Sequence, residues 1–140
     1  MKGILALATF ALLWSCVANA TDTYIHVSGV SIHQKSGFNS FNSGIGIEKE
    51  IYSDWSISLG TYNNSVNNQS VYVLGKYKVA TLSSISFNIV AGGVTGYQNN
   101  RISPVIAPEV CLQYVCGLLI PPINDVVVGA IGLYLKLPIN

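Results

Sequence analysis

Apolar residues alternate with small or polar ones along much of the chain. From Gly44 the order Gly-Ile-Gly-Ile-Glu-Lys-Glu-Ile puts Ile45, Ile47 and Ile51 on one face, opposite Gly44, Gly46, Glu48 and Glu50. Ile57 and Leu59 oppose Ser56, Ser58 and Gly60, and Phe87 and Ile89 oppose Ser86, Asn88 and Gly92. Near the C-terminus Val127, Ile131, Leu133, Leu135 and Leu137 oppose Ala130, Gly132, Tyr134 and Lys136. A period of two belongs to β-strands, whose successive side chains point to opposite faces. Scattered glycines and β-branched residues leave no room for helices. The runs predict strands near 24–35, 42–51, 55–64, 70–79, 84–96, 104–112, 115–121 and 126–137. Turn-forming clusters such as Tyr-Ser-Asp, Gln-Asn-Asn-Arg and Pro-Pro-Ile-Asn-Asp separate them.

Eight strands closing on themselves leave no edge to aggregate and an interior that side chains can fill. The expected fold is therefore all-β, an eight-stranded antiparallel up-and-down β-barrel. Its apolar face can point either way. Turned outward, it suits a membrane-embedded barrel, whose strands need ~9–11 residues to cross. Turned inward, it suits a soluble barrel of the lipocalin type. Composition favours the first: only 9% of residues are charged, against about a quarter in ordinary soluble domains. The glycine- and serine-rich faces make a poor water-exposed surface.

The first residues have another purpose. A lysine at position 2, an apolar run from Ile4 to Trp14 and an Ala-x-Ala ending at Ala20 form a secretory signal peptide over residues 1–20. A lipoprotein signal ending at Cys16 is the competing reading, with Trp14 a poor fit. Residues 21–140 then form a single barrel domain. No later stretch has the ~20 uninterrupted apolar residues of a transmembrane helix. The seven bases and six acids nearly balance and form no basic cluster, which argues against nucleic acid as a partner.

Candidate chemistry is sparse. Cys111 and Cys116 flank Leu-Gln-Tyr-Val, and a two-residue turn at Gln113-Tyr114 would set them opposite each other on a hairpin. An exported protein favours a disulfide there; two small buried thiols are the alternative. Two thiols and two distant histidines, His26 and His33, make no compact metal site. No phosphate loop or Gly-x-Ser-x-Gly elbow is present. The stretch Gly-Thr-Tyr-Asn-Asn-Ser-Val-Asn-Asn-Gln-Ser, residues 60–70, reads either as a polar external loop or as the carrier of a reactive hydroxyl.

Several segments, in order, resemble the lipid A palmitoyltransferase family (PagP), eight-stranded outer-membrane barrels. Ser-Ile-His-Gln-Lys-Ser-Gly-Phe-Asn resembles the family's first strand with its functional histidine, and Gly-Ile-Gly-Ile-Glu-Lys-Glu its glycine-rich second strand. Gly-Thr-Tyr-Asn-Asn-Ser-Val lines up with a segment carrying an Asp-Ser pair. The span from Ala91 to Pro122 is similar in its Gly-Val-Thr turn, its Pro-x-x-x-Pro strand, its hairpin and its Ile-Pro ending.

The resemblance implies transfer of an acyl chain from phospholipid to lipid A, at the outer membrane of a Gram-negative bacterium. No cofactor or metal is involved, and the chain is expected to act as a monomer. His33 matches the family histidine and Ser65 its serine, while Asn64 stands where the family has Asp. An amide orients a charged histidine less well than a carboxylate does. The acyl cavity would be lined by Gly44, Gly46, Gly92 and Gly132. Lipids would enter where Pro104 and Pro108 on one side and Pro121 on the other thin the strand hydrogen bonding. Two further functions stay open: a non-catalytic lipid-binding barrel of the outer membrane, encoded by a phage or mobile element, and a soluble barrel carrying a hydrophobic ligand.

Overall fold

The computed structural model describes residues 22–98, 101–121 and 129–139. The expected signal peptide and Val127 lie outside them. The elements are β1 (Thr23–His33), β2 (Phe41–Tyr52), β3 (Trp55–Asn63), β4 (Gln69–Leu82), β5 (Ile85–Gln98), β6 (Arg101–Leu112), β7 (Val115–Ile120) and β8 (Ala130–Ile139). Each strand pairs antiparallel with the next, and β8 pairs with β1, from Thr23↔Ile139 to His33↔Ala130, to close the barrel. The eight expected strands are all present. The largest differences are β4, which runs on to Leu82, β6, which starts at Arg101, and β8, whose described part starts at Ala130.

The alternation in the sequence becomes two surfaces. Ile45, Ile57, Val71, Val73, Phe87, Ile89, Ile106 and Leu135 point away from the barrel axis and are exposed. Lys76, Glu48, Asn88 and Glu109 point inward and are buried. The polarity is thus reversed from that of a soluble barrel, with apolar residues outside and ionic ones inside. The exposed rings of Tyr52, Trp55, Tyr77 and Tyr114 lie toward the end carrying the tight turns. Trp55 and Tyr77 pair across β3 and β4 with ring centroids 4.8 Å apart.

One irregularity controls what faces inward on β1. Its register shifts between Ser28 and Val30 against both neighbours: opposite β8 these two steps match one, so Gly29 is the extra residue there, while opposite β2 they match three. A bulge of this kind reverses the alternation beyond it. Tyr24, His26 and Ser28 face inward before it, and Ser31 and His33 after it, while Val30 and Ile32 turn out and are exposed. An unbroken strand would have put His26 and His33, an odd number of residues apart, on opposite faces.

Candidate functional site

The barrel has two unlike ends. Tight turns at 53–54, 83–84 and 113–114 share one end with Thr23 and Ile139. The longer connections at 34–40 and 64–68 lie at the other, where β1 and β3 terminate. The candidate catalytic residues fall at this loop end.

There His33, the last residue of β1, meets Ser65, just past β3. His33 Nε2 lies 3.0 Å from Ser65 Oγ. The imidazole stacks on Phe38 with centroids 5.2 Å apart and planes 24° from parallel. Its other nitrogen, Nδ1, is buried with no hydrogen-bond partner among the described residues. For Nε2 to accept the serine proton, Nδ1 must carry the ring's own hydrogen. The arrangement is a dyad of base and hydroxyl, without the acceptor that completes a triad.

Asn64 does not supply that acceptor: none of its side-chain bonds goes to His33. The side chain is fully buried, at 0% exposure. Its Oδ1 accepts from the Val66 N–H at 2.9 Å and the Asn68 N–H at 3.0 Å. Its Nδ2 donates to Ser70 Oγ at 2.9 Å and to the Gly96 carbonyl at 3.0 Å. All the amide's bonds go to the loop it belongs to, to Ser70 on β4 and to Gly96 on β5. Its chemistry fits an amide and not an acid. Ser70 Oγ spends its proton on the Thr95 carbonyl at 2.6 Å, so a carboxylate oxygen replacing Nδ2 would face two acceptors. Asn64→Asp is therefore expected to lose about 1–3 kcal/mol of stability rather than raise activity. The check is the denaturant midpoint of the variant against the parent. Nor is this loop simply a wet external turn, because Ser70 and Asn64 are buried in it.

The expected cavity glycines also differ from expectation. A Cβ on Gly44 would run into Tyr62 and the β3 backbone, and one on Gly46 or Gly60 would meet the Tyr72 hydroxyl. Gly46 and Gly60 are direct partners across β2 and β3, and Tyr72 on β4 is paired with Gly60. The tyrosine ring thus fills the space that the two glycines leave, an aromatic cover over bare backbone. A Cβ on Gly92 would strike the β4 backbone at Val73. These three glycines permit close packing instead of lining open space. Gly132 differs, since a Cβ there meets nothing within 4 Å. Near it Leu118 and Ile120 face inward by register, and Leu74 and Val105 do so across the barrel. All four remain half-buried, so this part of the inner wall is apolar.

Pro104 and Pro108 are exposed on β6 opposite Gly93 and Ile89. On its other side β6 pairs with β7 only through Glu109–Leu112. The part of β6 carrying both prolines therefore lacks a partner on that side among the described residues. Pro121 follows β7 directly and is exposed. Cys111 and Cys116 are direct cross-strand partners joined in a disulfide, with Cα atoms 4.0 Å apart. Glu109 lies beside them, but sulfurs bonded to each other offer no thiolate to a metal.

A second cluster, toward the turn end, was not singled out from sequence. Strands β2, β4, β6 and β8 each contribute one charge to a ring in which the signs alternate: Glu48, Lys76, Glu109, Lys136. Lys76 Nζ lies 2.8 Å from Glu48 and 2.7 Å from Glu109, and Lys136 Nζ lies 2.7 Å from Glu48. His26 Nε2 and Ser56 Oγ each contact Glu48 at 2.8 Å. Asn88 Nδ2 donates to Glu109 at 3.1 Å, and the Tyr134 hydroxyl also bonds Glu109. Glu48 and Glu109 are 1% and 2% exposed, so water does little to solvate them. This ring forms a floor under the apolar half. A polar cleft lined by Glu50, Asp54, Lys78 and Ser86 reaches it from the turn end. The inward positions of Glu48 and Lys136 were legible from alternation; their pairing across the barrel was not.

Compared with protein-family models and with curated proteins, the chain matches none.

Proposed function

We propose that this protein is an outer-membrane barrel that moves an acyl chain from a phospholipid to lipid A, using His33 and Ser65 at its outer rim. The observation that carries this reading is the 3.0 Å contact between His33 Nε2 and Ser65 Oγ, made by residues far apart in sequence at the end of the barrel where Leu118 and Ile120 face inward. The membrane part is supported by the outward apolar face and its aromatic rings at the turn end, since such girdles mark the edges of a bilayer-spanning barrel.

Ser65 Oγ attacks the ester carbonyl carbon of the phospholipid while His33 Nε2 takes its proton. The lysophospholipid oxygen leaves with that proton, and the acyl chain stays as an ester on Ser65. A hydroxyl of lipid A attacks this ester and gives its proton to Nε2. Ser65 then leaves and recovers the proton from His33. The chain rests meanwhile among Leu74, Val105, Leu118 and Ile120. Donor lipid reaches the interior sideways, past the half of β6 that carries Pro104 and Pro108 and has no β7 partner among the described residues.

Protein folded in detergent with a labelled phospholipid should release lysophospholipid. Ser65→Ala and His33→Ala should each slow release by about 100-fold or more, with the folded, heat-modifiable gel band retained. Release by Ser65→Ala at the parent rate would remove the dyad from the account. That His33 Nδ1 has no partner among the described residues favours a second reading, a lipid-binding barrel without catalysis, for which parent and variants alike release nothing.

A further inference from the structure

In a serine–histidine site a third group normally fixes the imidazole by accepting its Nδ1–H. Here that nitrogen has no partner among the described residues and Asn64 is committed elsewhere, so among those residues the ring is held another way. The connection between β1 and β2 supplies it. This loop is tied to the barrel on both sides of Phe38: Gln34 N donates to the Gly129 carbonyl at 2.9 Å, and Ser31 N to the Ser40 carbonyl at 2.9 Å. Gly37, at φ 95°, takes the left-handed turn that L-residues resist and leads into Phe38.

Phe38 then lies flat on the His33 ring. Its neighbour Asn39 holds the other half of the dyad. Asn39 N donates to the Ser65 carbonyl at 2.8 Å, and Asn39 Nδ2 donates to the Asn64 carbonyl at 3.2 Å. Two consecutive residues thus grip the base and the loop bearing the nucleophile. Asn39 also bonds the Phe41 backbone through both ends of its amide, at 2.7 Å and 3.1 Å, which fixes the strap against β2.

We infer that Phe38 and Asn39 are positioning residues that set His33 against Ser65, with the stacked ring doing by contact what a carboxylate does by hydrogen bonding. The inference rests on the acyl-transfer reading for its kinetic consequence but not for its geometric one. Stacking fixes the plane of the imidazole without demanding a charge, so the ring can alternate between neutral and protonated forms during transfer. A misplacement of an ångström at such a site costs up to about 100-fold in rate.

The test compares the parent with Phe38→Leu, Phe38→Tyr and Asn39→Ala in detergent, using phospholipid turnover and nitrogen-15 NMR of the histidine ring. Phe38→Leu should lower kcat by about tenfold or more with KM little changed, and its His33 ring signals should broaden or average. Phe38→Tyr should restore both. Asn39→Ala should lower kcat while leaving the ring signals in place, since it acts through Ser65. If Phe38→Leu keeps parental turnover and ring signals, the inference is wrong. If the parent shows no turnover while Phe38→Leu still frees the ring and Phe38→Tyr holds it, acyl transfer fails and the positioning of His33 stands.

Discussion

Glu48→Ala is expected to destabilise the barrel by about 3–5 kcal/mol, because removing one member of a buried ion cluster strands the others. Lys76 keeps Glu109 as a partner, but Lys136 and His26 lose theirs. Among the described residues Lys136 retains the face of Tyr24, 4.1 Å from the ring centroid. The cost is the burial of an unpaired ammonium and not the worth of one contact. Taking that ammonium away should therefore recover part of the loss, and Glu48→Ala combined with Lys136→Met should be more stable than Glu48→Ala alone. Urea midpoints followed by the heat-modifiable gel shift measure all three. A Glu48→Ala barrel as stable as its parent would mean that the charges are not closed off from water.

Ile45→Arg should be the second large effect, and it separates a membrane barrel from a soluble one. Ile45 stands midway along β2, outward, and 60% exposed. At the midplane of a bilayer an outward arginine costs about 2–4 kcal/mol, falling to about 0–1 near the interfaces. Tyr52→Arg, outward at the turn end, is the control and should be well tolerated. In a soluble barrel neither position contacts lipid, and exposed substitutions stay within about 0.5 kcal/mol. Equal, small losses at both positions would place the apolar face in water.

The sequence carried the strands clearly and the site only in part, for reasons that can be traced to single residues. Alternation at Ile45, Ile57 and Phe87 depends on local chain geometry, so the outward face was readable before any pairing was known. Whether His33 faced inward was not, because that depends on one extra residue at Gly29, and a glycine in a strand permits a bulge without requiring it. The contact of His33 with Ser65 further needs the closure of β1 on β2 and the register of β2 with β3. The glycines misled for a related reason. A small residue leaves room only if nothing else takes it, and the ring that covers Gly46 and Gly60 comes from Tyr72 on another strand. Asn64 looked like a weakened catalytic partner because the resemblance sets it where the family has Asp. Its actual work, four bonds within and beside its loop, depends on a backbone path that composition does not reveal. The ionic floor was half visible: Glu48 and Lys136 lay opposite apolar residues, but alternating charges on β2, β4, β6 and β8 become neighbours only in a closed barrel.

The central claim is that the rim dyad transfers an acyl chain to lipid A. It is tested most directly by expressing the protein in Gram-negative cells that lack their own palmitoyltransferase and weighing their lipid A by mass spectrometry. The parent should add the mass of one acyl chain to a fraction of the lipid A. Ser65→Ala and His33→Ala, folded and present in the outer membrane, should add none. Lipid A of unchanged mass from cells whose outer membrane holds the folded parent barrel would contradict the account.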